Sequence, residues 1–108
     1  MVEAVIFDMD GTLVDSERVS VDAWREVEKR TNGAVDKAFT DTLIGVSRAA
    51  CLEMLADRLG GERRAREVFG LRCEIYDELA ARGIPLKPGA RGALECARSG
   101  GSKVAVAT

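Results

Sequence analysis

A short apolar run that ends on two carboxylates most constrains how this chain can fold. Residues 4–7 read Ala-Val-Ile-Phe, and Asp8, Asp10 and Gly11 follow within four positions. Because the run is uniformly apolar rather than alternating, it predicts a strand buried on both faces, as in a parallel sheet covered by helices. Ligands of open parallel sheets bind beyond the carboxyl ends of the strands, which is where Asp8 and Asp10 would lie.

The two acids suggest a specific chemistry. If the strand continued, Asp8 and Asp10 would share one face, and a divalent cation or a proton would relieve their repulsion. Gly11 permits a sharp turn that would aim backbone N–H groups at the space above Asp8, a place suited to a phosphate. The pattern favours an aspartate nucleophile, a second aspartate as acid or base, and a hard cation. An isolated Asp-x-Asp pair is also common in loops, so the pair alone does not decide.

Other ligand motifs are excluded. Gly11 is at the fourth position counted from Asp8, whereas a calcium-binding EF-hand loop needs glycine at the sixth. The glycine-rich phosphate loop that ends in lysine does not occur, and the absence of histidine excludes histidine triads and histidine metal sites. The three cysteines are widely spaced, which predicts reduced, mostly packed thiols in a cytoplasmic protein.

Charge and hydropathy exclude several kinds of partner. The net charge of −2 provides no electrostatic footprint for nucleic acid or an anionic membrane. No stretch approaches the roughly 20 apolar residues that span a membrane. The four-residue apolar run before Asp8 is too short for a signal peptide. We therefore expect a cytoplasmic protein without a nucleic-acid or membrane partner, and we expect it to be a monomer.

The hydrophobic spacing predicts five helices between two strands. The first helix should begin after Asp15 or Ser16 and bury Trp24, whose spacing favours core packing over substrate contact. Ser47 is a plausible N-cap of the third helix, which Gly60 ends. The predicted helices cover 17–30, 35–43, 48–59, 62–82 and 90–98, and the second strand covers 103–107. Because a helix joins the strands, parallel pairing in an α/β fold is expected.

The string from Phe7 to Glu17 closely resembles the first motif of the haloacid dehalogenase-like superfamily, whose members are mostly phosphatases and phosphotransferases. Pro88-Gly89 resembles this family's return from cap to core, and the strand that ends at Thr108 resembles its second motif. The resemblance implies a partial Rossmann-like parallel-sheet core with an inserted α-helical cap. Residues 1–14 and 84–108 would form the core, and residues 15–83 the cap.

The resemblance also implies roles for individual residues. Asp8 would attack phosphorus, Asp10 would act as acid and then base, and Thr108 would hydrogen-bond a phosphoryl oxygen. Mg²⁺ would be bound by the Asp8 carboxylate and the Asp10 backbone carbonyl. In the true dehalogenases of the family, the residue that corresponds to position 10 resembles a tyrosine. The resemblance therefore implies that the aspartate at this position favours phosphoryl transfer. The phosphate-binding set would be Asp8, Met9, Asp10, Gly11, Thr12 and Thr108.

The cap carries the signal of a narrower branch. Gly45-Val46-Ser47-Arg48 resembles the substrate-specificity loop of β-phosphoglucomutase-like proteins, in which Arg48 would contact sugar or phosphate. Arg72 is at a position where that branch often has a basic residue facing the site. For both arginines the alternative is an ordinary surface side chain. Ser20 replaces the branch's hinge histidine, which argues against mutase activity.

The resemblance implies a Mg²⁺-dependent phosphatase that acts on a small phosphorylated metabolite. A mutase that moves phosphate between hydroxyls of a hexose phosphate is the alternative, and a non-catalytic domain with the same fold is another. The family's later lysine and acidic pair do not occur in the 108 residues, so we expect the first half of such an enzyme. Alone, it should bind Mg²⁺ weakly, turn over little substrate and be marginally stable, because its strands lack neighbours.

Overall fold

Two strands and five helices succeed one another along residues 2–107, which are the residues that a computed structural model of this chain describes. In chain order the elements are β1 (Ala4–Asp8), α1 (Ser16–Arg30), α2 (Lys37–Asp41), α3 (Arg48–Leu59), α4 (Glu62–Ala81), α5 (Ala90–Ser99) and β2 (Lys103–Ala107). The α/β architecture predicted from the sequence is confirmed. Thr108, the predicted phosphate contact of the second strand, lies outside the described residues.

The chain divides into two compact units. The first consists of the residues up to Glu17 and those from Gly83 onward, and the second of Arg18–Arg82. The sequence placed these divisions after residues 14 and 83, whereas the structure places them after residues 17 and 82. The interpretation of the two units as a catalytic core and a cap domain stays a prediction.

The first unit contains the two strands. β1 pairs with β2 in parallel, from Ala4 opposite Lys103 to Asp8 opposite Ala107. A parallel pair requires a crossover, and α5, the last helix before β2, packs against that strand. The two segments of this unit also meet where Val14 forms an antiparallel bridge with Leu86.

The strands of this chain are only partly covered, as expected for apolar strands that lack neighbours. Ile6 is 71% exposed and Val106 is 46% exposed, whereas Val5 and Phe7 are half-buried. Among residues 2–107 the sheet has two strands, and each of them has one hydrogen-bonded edge. A uniformly apolar strand is typical of a sheet with layers on both faces. In the described residues such covering is incomplete, and apolar surface remains exposed.

The second unit is built around a helical core. Its fully or nearly fully buried residues include Val27, Leu55 and Val68, one from each of three helices. Trp24 is 3% exposed and belongs to this cluster, which confirms the prediction of core packing. The complete buried cluster consists of Ala23, Trp24, Val27, Val35, Leu43, Cys51, Leu55, Ala65, Val68 and Ile75.

Side-chain and glycine caps set the ends of the short helices. The Ser47 hydroxyl accepts a hydrogen bond of 3.3 Å from the Ala50 N–H, as its predicted N-cap role requires. Gly60 ends α3 with a φ of 83°, a left-handed conformation that glycine adopts without strain. The second helix is shorter than predicted, because the Asp36 carboxylate caps it by accepting from the Phe39 N–H at 2.9 Å.

An arginine links α1 to α2. The Arg25 guanidinium donates to Asp41 Oδ1 at 2.7 Å and to the hydroxyl of buried Thr40 at 3.1 Å. Lys37 Nζ donates to the other Asp41 oxygen, also at 2.7 Å. The lysine hydrogen bond is the largest cause that lowers the pKa of the Asp41 carboxyl below its ordinary value, and Arg25 adds to it.

We expect the substitution Asp41→Asn to destabilise the second unit in a pH-dependent way. Folding lowers the pKa of Asp41, so its contribution is present above the ordinary pKa of a free aspartate and is lost as the pH falls through the lower folded value. The difference in urea midpoint between wild type and variant should be largest at pH 5–7 and shrink near pH 3. Trp24 fluorescence can follow unfolding. Asp77→Asn, which changes an exposed acid on α4, is the control, and equal pH profiles would contradict the prediction.

Two further sequence expectations concern cysteines and membranes. All three cysteines are free thiols. Cys51 is buried and Cys73 half-buried, as expected for mostly packed thiols, whereas Cys96 is exposed. Within the described part of the chain, no helix is both long and apolar enough to cross a bilayer.

Candidate functional site

The acid motif lies where β1 ends. The strand stops at Asp8, which is opposite Ala107 at the end of β2, and the Met9 N–H donates to the Ala107 carbonyl at 3.2 Å. Both Asp8 and Asp10 are exposed. Because the chain turns after Asp8, the two acids do not occupy one face of a continuing strand. The structure instead places Asp8 on the last strand position and Asp10 in the turn that follows it.

Gly11 makes this turn possible. Its φ is 75°, a left-handed value that favours glycine, as the sequence predicted. The turn closes on the Met9 carbonyl, which accepts from the N–H groups of Leu13 at 3.0 Å and Val14 at 3.1 Å. The Gly11 N–H donates to the Val14 carbonyl at 3.0 Å. Hydrogen bonds within the turn therefore satisfy several of its backbone N–H groups.

Some of the N–H groups expected to face the space above Asp8 are used by the turn itself. The N–H groups of Met9 and Gly11 are already donated to carbonyls, and that of Thr12 makes a long bond of 3.4 Å to the Met9 carbonyl. In this conformation an anion could use the Thr12 N–H only by replacing that weak bond. The phosphate-binding role of this segment stays a prediction.

The donor chemistry of the motif suits a hard divalent cation, although the site is small. Asp8 and Asp10 supply carboxylate oxygens, and Asp10 also supplies a backbone carbonyl, all of which are ligand types that Mg²⁺ prefers. Among residues 2–107, no group of three or more acidic, cysteine or histidine side chains is arranged to hold a metal ion. The oxygen donors of the motif are of the kind that Mg²⁺ prefers, and the expected weak binding stays a prediction.

A separate cavity of about 260 Å³ lies within the second unit. It brings together four of the five predicted substrate residues of the cap, namely Gly45, Val46, Arg48 and Arg72. The fifth, Ser47, is an exposed N-cap of α3 and is not among the residues that form the wall. The full lining consists of Ser20, Trp24, Leu43, Ile44, Gly45, Val46, Arg48, Cys51, Phe69 and Arg72.

The two arginines of this cavity are held differently. Arg72 is half-buried, and its Nη2 donates to the Ser20 hydroxyl at 2.7 Å. Its guanidinium carbon also lies 4.9 Å from the centre of the Tyr76 ring and 5.9 Å from that of Trp24. Arg48 is exposed and lies 5.2 Å from the centre of the Phe69 ring. Arg72 is therefore held by neighbouring side chains and is only partly exposed, and its predicted contact with substrate stays a prediction.

The cavity contains a cysteine that the sequence did not single out. Burial raises the pKa of the Cys51 thiol above its ordinary value, and the nearby charge of Arg72 opposes this shift. The thiol therefore stays protonated near neutral pH, which makes Cys51 a poor nucleophile. Its place in the cavity wall is a packing role.

Two aromatic residues of this region were also missed. Tyr76 follows Arg72 by one helical turn, and Phe69 follows the core residue Val68. An i, i+4 spacing on one helix face could have paired Tyr76 with Arg72 in advance. No comparable signal links α4 to Ser20, because that contact joins residues 52 positions apart.

A model of the haloacid dehalogenase-like hydrolase family matches residues 2–108. Among curated relatives, a phosphorylated carbohydrates phosphatase from Thermotoga maritima is 32% identical over 110 residues, which is 98% of this chain and 49% of the relative.

Solved structures show the same similarity. A Thermotoga maritima protein crystallised as a candidate β-phosphoglucomutase superposes with a TM-score of 0.75 at 29% identity, over 96% of this chain and 48% of that one. CbbY from Rhodobacter sphaeroides, solved in complex with phosphate, superposes with a TM-score of 0.58 at 27% identity, over 100% of this chain and 51% of that one. The chain spans about half the length of the relatives it matches.

Proposed function

This chain belongs to the haloacid dehalogenase-like hydrolase family, and on that premise we propose that the whole protein is a Mg²⁺-dependent phosphatase. The observation that carries the proposal is the position of Asp8 and Asp10, which are both exposed at the carboxyl end of a parallel strand. That edge is where α/β proteins bind their ligands. A purely structural role would not require two acids there.

Asp8 is the proposed nucleophile and Asp10 the proposed acid and base. An Asp8 carboxylate oxygen bonds to phosphorus as the bond from phosphorus to the ester oxygen breaks, and Asp10 protonates the leaving oxygen. Asp10 then takes a proton from water, which attacks the aspartyl-phosphate, releases inorganic phosphate and restores Asp8. Mg²⁺ would be held by the Asp8 carboxylate and the Asp10 carbonyl. Its positive charge would offset the negative charge of the phosphoryl group that is transferred.

The proposed substrate is a small phosphorylated carbohydrate. The cavity of the second unit contains two arginines and no carboxylate among its lining residues, so it suits an anionic molecule. The name of the Thermotoga maritima relative points to the same class of compound. In this proposal Arg48 and Arg72 contact the substrate, and the loop of Gly45, Val46 and Ser47 shapes the opening. Thr108 would bind a phosphoryl oxygen, and the protein would act as a monomer.

The same residues support a second candidate, a hexose-phosphate mutase. The loop that ends in Arg48 and the likeness to a candidate β-phosphoglucomutase favour it. Ser20 disfavours it, since this position has no side chain that titrates near neutral pH and the hydroxyl is already bonded to Arg72. A non-catalytic domain is the third reading, which the exposed acid pair disfavours.

We expect the whole protein to release inorganic phosphate from sugar phosphates only when Mg²⁺ is present. A phosphate-ester panel, assayed with Mg²⁺ and with excess EDTA, measures this directly. Incubation with β-glucose 1-phosphate separates the candidates, because a mutase would form glucose 6-phosphate and a phosphatase free phosphate. Glucose 6-phosphate as the main product would contradict our first choice, and no turnover of any ester would favour the non-catalytic domain.

A further inference from the structure

Arg48 and Arg72 differ from most arginines of the second unit in having no acidic partner. Within residues 2–107, neither takes part in an ion pair with a carboxylate at 4.0 Å or less. Six other arginines of this unit do, namely Arg25, Arg30, Arg58, Arg63, Arg64 and Arg66. The positive charge of the cavity is therefore not neutralised by its own walls.

Arg72 is nevertheless restrained, by groups that carry no charge. The Ser20 hydroxyl on α1 accepts a hydrogen bond from Arg72 Nη2 at 2.7 Å. The rings of Trp24 and Tyr76 lie within about 6 Å of the guanidinium carbon, the range in which cation–π attraction operates. The Arg72 Nε atom is buried and has no hydrogen-bond partner among the described residues. A buried donor without a partner is costly unless a ligand or water satisfies it.

We propose that Tyr76, together with Ser20 and Trp24, positions Arg72 as a fixed cation for an anionic group of the substrate. Tyr76 is absent from the cavity lining, so it would act through Arg72 and not by touching the ligand. This inference rests on the proposed function in one respect, which is that Arg72 contacts the substrate. It adds that the affinity depends on neutral residues that hold the guanidinium in place.

The physical reason is the flexibility of arginine. A free arginine samples many rotamers, and ordering it on binding lowers affinity. A ring and a hydroxyl restrict the guanidinium before the ligand arrives and leave its full charge available, whereas a carboxylate partner would neutralise it. Arg48, which is exposed and rests on one ring, lacks this degree of restraint.

The matched variants distinguish positioning from general packing. Tyr76→Leu removes the ring and Tyr76→Phe keeps it, while Ser20→Ala removes the hydroxyl and Ser20→Thr keeps it. Phe39→Leu is the control, because it removes a ring that lies 5.2 Å from a different arginine, Arg58, which is ion-paired to Asp36. Urea unfolding of each variant tests whether the fold is retained.

The first measurement is the order of the Arg72 side chain in the 108-residue chain. Nitrogen-15 NMR of the arginine Nε–H groups reports it, with the Arg72 signal assigned by its loss in Arg72→Lys. We expect a rigid Nε–H, shifted by the nearby rings, in wild type, Tyr76→Phe, Ser20→Thr and Phe39→Leu. In Tyr76→Leu and Ser20→Ala the signal should become mobile or exchange with water.

The second measurement is the affinity for inorganic phosphate. Trp24 is the single tryptophan and lies beside Arg72, so its fluorescence can report binding. Tyr76→Leu and Ser20→Ala should each weaken phosphate binding by about 3- to 10-fold, while Tyr76→Phe, Ser20→Thr and Phe39→Leu stay within about twofold of wild type. Arg72→Gln should weaken it by more than about 10-fold.

The two measurements separate the possible failures. A rigid Arg72 in Tyr76→Leu and Ser20→Ala would overturn the positioning role whatever happens to phosphate. A second outcome is that the Arg72 side chain becomes mobile in those variants while Arg72→Gln leaves phosphate affinity unchanged. That result would overturn the contact between Arg72 and the substrate, and with it the part of the proposal that concerns a ligand. Equal losses in Tyr76→Leu and Tyr76→Phe would show that the phenol, and not the ring beneath the cation, is what matters, which also contradicts the proposal.

Discussion

Replacing Asp8 with asparagine should lower phosphate-ester hydrolysis by the whole protein by about 10³-fold or more. Asparagine has nearly the same size and shape as aspartate, so the strand and the turn should remain intact. Its amide carries no negative charge and cannot form an aspartyl-phosphate. The loss should therefore appear in kcat, with the melting temperature almost unchanged.

The matched control for this prediction is Asp22→Asn. Asp22 is an exposed acid on α1 in the other unit, and its substitution makes the same change of charge. We expect the control to keep wild-type kcat/KM in a malachite-green assay with Mg²⁺. Undiminished turnover by Asp8→Asn would remove Asp8 as the nucleophile. The 108-residue chain by itself should show negligible turnover in the same assay.

The second large effect should come from Leu55→Ala in the core of the second unit. Leu55 is fully buried among α1, α3 and α4 residues of one cluster, so truncation removes apolar contacts and leaves a cavity. Substitutions of this kind cost about 2–5 kcal/mol of unfolding free energy. Because a small domain has only about 5–15 kcal/mol, the variant should be strongly destabilised.

Leu52→Ala provides the control for this prediction. It makes the same chemical change on the same helix, but Leu52 is only half-buried, so less apolar surface is lost. Urea unfolding followed by Trp24 fluorescence measures both variants, since Trp24 belongs to the same core as Leu55. Equal losses of stability in the two variants would contradict this account of the core.

Local signals predicted most of the helices and strands correctly. β2 has the predicted bounds, and α3 begins after its predicted serine cap and ends at its predicted glycine. The main difference is α2, where the Asp36 carboxylate accepts from the Phe39 N–H as an N-cap, and the helix starts two residues later than periodicity suggested. A cap is encoded by one side chain and its neighbours, so it can be predicted once the right residue is chosen.

The acid motif was predicted in part. The sequence identified the acids after the first strand and the glycine that turns the chain, and the structure shows both. The amides of the turn were harder to predict, because their partners depend on how the loop closes. The Met9 carbonyl accepts two well-formed hydrogen bonds, which the sequence pattern does not reveal.

By itself, the sequence determined the periodic helices and the pair of acids at the end of β1, because each depends on residues within a few positions of one another. The parallel pairing joins distant residues, Ala4 with Lys103 for example, and was predicted from the helix that precedes β2. Tertiary structure decided the surroundings of Arg72, where the Ser20 hydroxyl, 52 positions away, and the Trp24 ring approach the guanidinium from α1. It also decided that Ile6 remains exposed despite lying in an apolar strand. Burial depends on which elements pack against a residue, and hydrophobic pattern alone does not specify those neighbours.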